Sequence, residues 1–148
     1  MTRTVNVVLV TLVLGIAAFL CGSHGPLGAA IWPPPVSLTS APSVVQEKLF
    51  MLLDAVEALA FGLGLAFVFF AWPAVKQAAP STGSAAVLYV STAWLLTNWW
   101  IHDNLHMVIG LRPGGLLAIE YAFHVTLMMA GAALAYSFTR AVGRARAR

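Results

Sequence analysis

The chain has 148 residues, 60% of them hydrophobic and only 9% charged, with a formal charge of +3. Soluble domains carry charge on roughly a quarter of their residues, so an ordinary water-soluble enzyme is excluded. One cysteine excludes an intrachain disulfide framework.

Four apolar segments succeed one another, at about 5–21, 49–72, 85–109 and 116–138. Each is close to the roughly 20 residues that a spanning helix needs, the first being short. A spanning helix satisfies its own backbone in lipid. The sequence therefore predicts an all-α, polytopic integral membrane protein, a four-helix bundle forming one domain over 1–148. The first segment has a rival reading as a secretory signal peptide with cleavage after Ala30, and Cys21 invites a lipoprotein reading. Bulky Phe19 and Leu20 stand where small residues precede a cleavage site, which favours an uncleaved helix.

The connections differ in kind. The stretch 22–48 is long, with Pro33, Pro34 and Pro35 favouring extended geometry. It reads as an external connector, and loops of this length also serve as lids. Residues 73–84 read as a short cytoplasmic turn. Residues 111–115 read as a tight external turn that makes the third and fourth helices antiparallel neighbours. Arg3, Lys76 and the tail arginines Arg140, Arg144, Arg146 and Arg148 fall on one side, Lys48 and Arg112 on the other. The richer side is expected inside, giving both termini in the cytoplasm of a bacterial cytoplasmic membrane. The basic tail 139–148 reads as an anchor on anionic lipid, not as a nucleic-acid surface.

The ionisable residues are unevenly placed. Four of the five acidic residues and three of the four histidines fall within the expected spans, and no Lys or Arg does. Such residues are costly in a bilayer and mark function by default. At 1.5 Å per residue, Asp54 and Glu57 lie roughly 8 and 12 Å from the outer end of the second span, and Glu120 and His124 roughly 6 and 12 Å from that of the fourth. His106 and His102 lie roughly 5 and 10 Å from the outer end of the third. Two layers result: Asp54, His106 and Glu120 outside; Glu57, His102 and His124 inside.

Asp54 with Glu57, His102 with His106, and Glu120 with His124 each share a helix face. Buried carboxylates without a basic partner must take a proton, pair with an imidazolium or bind a cation. A metal uses all the groups at once, and the His-plus-carboxylate set suits zinc, iron or manganese, with imidazole also suiting copper. The expected ligands are therefore Asp54, Glu57, His102, His106, Glu120 and His124, with Asp103 orienting a ligating histidine from behind. His24 is expected to be a loop residue, Asn98 an interhelical hydrogen-bonder, and Cys21 a filler. Trp94, Trp99 and Trp100 are expected to pack or mark the interface. Met128 and Met129 are expected to pack; Met51 and Met107 lie near the site and keep copper open.

The pattern does not match a di-iron carboxylate bundle, which needs Glu-x-x-His on two helices; here there is one Glu-x-x-x-His and one His-x-x-x-His. The expected function is a membrane metalloprotein, an oxidoreductase, a hydrolase or a metal-handling protein. The alternatives are an accessory subunit of a larger membrane complex, or of a homo-oligomer, whose acid–histidine pairs fix helix packing, and a proton or cation pathway. The nearly apolar inner half of the spans counts against conduction. The small-xxx-small spacings Ala58/Gly62, Ala60/Gly64 and Gly131/Ala135 are expected at helix contacts.

Overall fold

The computed structural model describes residues 3–33, 42–110 and 112–146. Pro34 and Pro35 of the long connector, Leu111 of the tight turn and Arg148 of the tail lie outside them. Helices make up most of the described residues, with no strand among them. Helix α1 is Arg3–Cys21, α2 is Val44–Phe70, α3 is the short Trp72–Ala78, and α4 is Thr82–Ile109. Helix α5 is Pro113–Ile119, and it runs through a π-helical segment, Glu120–Val125, into α6, Thr126–Arg146.

Local chemistry sets the ends. Ser43 and Gln46 form a reciprocal capping box that starts α2 five residues before the apolar run. Ser81 caps α4 by accepting from the Ser84 N–H. The stretch expected as a plain turn at 73–84 holds α3, because Pro73 sits in its first turn, where a missing N–H costs nothing.

Among the described residues three helices are long and apolar enough to cross a membrane: α1, α2 and the continuous run Pro113–Arg144. At 28 residues α4 is as long, but Asn98, His102, Asp103, Asn104 and His106 dilute its C-terminal half. Polarity is arranged inside out. The buried residues include Glu57, Ser91, Asn98, His102 and Asn104, whereas Val8, Leu12, Ile16, Phe50, Val56 and Phe69 face outward. In water such a surface would aggregate; in lipid it is the solvated face.

The helices pack as a row and not as a closed four-membered ring. Substantial contacts run from α1 to α2, from α2 to α4 and from α4 to α6. The cause is visible on α2. A Cβ on Gly62 would collide with the Thr11 carbonyl oxygen and lie 2.6 Å from the Gly15 nitrogen, so this glycine lets α1 approach backbone to backbone. A Cβ on Gly64 would lie 2.5 Å from Thr97 Cγ2, on α4. Two residues along a helix is about 200° around it, so α2 is pressed between α1 and α4 on opposite faces. The third spacing is not used this way: a Cβ at Gly131 would meet nothing within 4 Å.

At the end of the row that holds the N-terminus, Arg3 donates to the Phe70 carbonyl and Tyr89 to that of Val68. The start of α1 and the end of α2 are thereby held together. At the opposite end the 22–33 segment folds back over α4. The Ser23 N–H donates to Asn104 Oδ1, and Asn104 Nδ2 donates to the Trp100 carbonyl at 2.7 Å. Trp32 donates to the Cys21 carbonyl at 2.8 Å and meets Trp100 edge to face.

Candidate functional site

The ionisable residues centre on α4. Residues 102 and 106 are four apart and share a face, while 103 lies about 100° round the helix. His102 and His106 stack with centroids 4.4 Å apart, and the His124 ring lies 4.8 Å from that of His102. His106 is within electrostatic reach of His124, Glu120 and Asp103. On the α2 side, Asp103 lines a cleft with Glu57, and Asp54 lies one turn before Glu57 on α2. His24 is exposed and faces Asp54 electrostatically.

The six expected ligands therefore do not meet at one point. Two carboxyls, Asp54 and Glu57, stand with Asp103 between α2 and α4; three imidazoles and Glu120 stand between α4 and the π segment. The helix row explains the division, since α4 separates its two neighbours. A chain of side chains joins the two groups: Glu57 lines one cleft with Asp103, Asp103 bonds to His102, the His102 ring lies against that of His124, and His124 bonds to Glu120.

The links of that chain fix the imidazoles. His102 Nδ1 lies 2.8 Å from Asp103 Oδ1, and His124 Nδ1 lies 2.5 Å from Glu120 Oε2. A neutral ring donating from Nδ1 presents a bare lone pair at Nε2. His102 is only 6% exposed, and its Nε2 is buried without a hydrogen-bond partner among the described residues. A buried ring nitrogen left bare costs free energy, so its position calls for a reason. Phe123 and Trp99 pack edge-on against His102 and keep its surroundings apolar.

The segment that supplies Glu120 and His124 is itself unusual. It is π-helical, with the wider i→i+5 turn, over the six residues Glu120–Val125. Such turns are rare and concentrate at functional sites. The wide turn loosens carbonyls at its end, and the Thr126 hydroxyl serves those of Ala122 and Phe123. Trp94 donates to the same hydroxyl at 3.0 Å and stacks on Phe123, tying the π segment to α4.

Asn98 departs from expectation. It is 1% exposed, and its Nδ2 has no partner among the described residues, so it does not bridge helices through that group. Near it Asn104, Trp94 and Trp100 make side-chain hydrogen bonds between elements instead, as Arg3 and Tyr89 do at the other end of the row. Asn104 had a readable signal, a third amide or acid in the polar run of α4. The π turn had none.

Among the described residues no three or more His, Cys, Asp or Glu side chains form a group arranged to hold a metal ion. Three imidazoles bound to one ion through nitrogen at about 2.0 Å would hold their ring centroids about 5 Å apart. The two separations seen, 4.4 and 4.8 Å, are slightly shorter. The rings are thus packed on one another, and ligation would require them to turn their Nε2 atoms to a common point. No protein-family model, curated protein or solved structure matches the chain. The reading of the site rests on its own geometry.

Proposed function

We propose that the protein is an integral membrane metalloprotein of the bacterial cytoplasmic membrane that binds a transition metal through His102, His106 and His124. In this reading α4 is a fourth span, both termini are cytoplasmic, and the site lies in the outer third of the bilayer. The observation that carries the reading is the bare, buried Nε2 of His102 beside His124, each ring holding a carboxylate at Nδ1. A ligating histidine ordinarily donates its other N–H to a carboxylate, which fixes the tautomer and strengthens the donor. Asp103 and Glu120 are then orienting residues, and Asp54 and Glu57 stand outside the ligand set. Zinc, iron and copper all accept imidazole. A site with three protein ligands keeps a position open for substrate, which suits either a small metalloenzyme or a metal-handling protein.

A second reading is favoured by the absence, among the described residues, of a converged three-donor group. In it the pairs His102–Asp103 and His124–Glu120 are satisfied internally and only fix helix packing within a larger complex. Elemental analysis of protein purified in mild detergent separates the two. The metalloprotein reading expects about one transition metal per chain, lost in His102→Ala and in His124→Ala and kept in His24→Ala. Metal-free wild type that remains metal-free after incubation with zinc, iron(II) or copper supports the packing reading.

A further inference from the structure

On the other side of α4 lies a cleft of about 440 Å³ between α2 and α4, lined by Leu53, Val56, Glu57, Ala60, Trp99 and Asp103. None of the three clustered histidines lines it, so it is separate from the imidazole site. Its walls are apolar, and Leu53, Val56 and Trp99 are exposed on the outer face of the helices, where lipid would lie. Its base is acidic. Glu57 is only 8% exposed and lines the cleft beside a second acid, Asp103.

That base is electrostatically incomplete. Asp54, one turn before Glu57 on α2, adds a third acid on the same helix face. Charged groups facing this cluster are few: His24 lies near Asp54, His106 is within electrostatic reach of Asp103, and His102 donates to Asp103 from the far side of α4. No lysine or arginine occurs between Lys48 and Lys76 or between Lys76 and Arg112, the stretches that build the cleft. A carboxylate in an apolar setting is stabilised by a cation brought against it. The indole of Trp99 at the rim adds a second attraction for a cation.

We propose that this cleft binds an amphiphilic organic cation, a long-chain alkylammonium, entering sideways from the lipid. The ammonium sits against Glu57 and Asp103 beside Trp99, and the chain lies along Leu53, Val56 and Ala60. The shape and the charge both select this class: a free metal ion would find no use for the apolar wall, and a neutral lipid chain would leave the acids unmatched. The cleft shares Asp103 and Trp99 with the surroundings of His102 but contains none of the three imidazoles, so it can be occupied whether or not the metal reading holds.

The test uses the full-length protein in phosphatidylcholine nanodiscs and tritiated dodecylammonium, with empty nanodiscs as background. Saturable binding of about one ammonium per chain is expected. Glu57→Gln should weaken it at least tenfold, Glu57→Asp only a few-fold, and Trp99→Ala several-fold. His124→Ala should leave it unchanged. Dodecanol should not compete. Binding no greater than to empty nanodiscs overturns the proposal. So does equal competition by dodecanol, which would make the cleft a slot for any acyl chain. If Glu57→Gln fails to fold, Trp99→Ala and the dodecanol competition still decide, since unchanged binding in Trp99→Ala with full dodecanol competition also overturns it.

Discussion

His102 is the residue on which the chemistry turns. It touches every part of the cluster: Asp103 through Nδ1, and His106, His124, Phe123 and Trp99 through its ring. The acids differ in kind. Glu120 holds His124 in place, so Glu120→Gln should retain metal with affinity lowered about 10- to 100-fold, the usual cost of losing an orienting partner. Glu57 lies across α4, so Glu57→Gln should keep metal affinity within a factor of about two. Metal competition titrations on the two variants check the contrast; equal losses would return Glu57 to the ligand set.

At the scale of elements, the π segment and the packing of α2 decide which residues meet. The π turn contains one residue more than an α-helix would use to span the same rise. Deleting Ala122, which is exposed, should restore an α-helix with its flanking residues in register and bring Glu120 and His124 from four residues apart to three. The pair would lose its present geometry while the helix stayed intact. Circular dichroism should show helix content unchanged, and metal affinity should fall about as far as in Glu120→Gln. Unchanged affinity would mean that the π turn is not needed for the site.

Much of this level was legible in the sequence. The all-helical class is readable from the four apolar runs, and the face-sharing of residues 102 with 106 and of 120 with 124 from their spacing. The division of the six expected ligands was not. Helical periodicity says which residues share a face, but not which neighbour that face meets. The neighbour was set by Gly62 and Gly64, whose missing side chains point to opposite partners. The small-residue spacing around them suggested helix contact without saying with what, and the same spacing at Gly131 led to none. The π turn left no trace in residue type at all.

For the whole molecule, the outward apolar surface and the polar interior make lipid part of the structure. Arg3 joins the start of α1 to the end of α2 at one end of the row, while Ser23 and Trp32 cover the other. Reporter fusions after Lys76 and at the C-terminus should both score cytoplasmic, and a fusion near Pro34 should score external. An external C-terminus would place the imidazole cluster on the cytoplasmic side of the membrane and remove the argument for a site open to the outside.

The claim that most needs testing is that the bare Nε2 of His102 exists for a metal. A ligand that binds only the folded state stabilises it by about 4 kcal/mol at a thousandfold excess over its dissociation constant. The measurement is the thermal unfolding of wild type and His102→Ala in mild detergent, each with and without a strong chelator. The metal account predicts that chelator lowers the wild-type midpoint by several degrees, that added metal restores it, and that His102→Ala responds to neither. A wild-type midpoint unmoved by both chelator and added zinc, iron(II) or copper would contradict it.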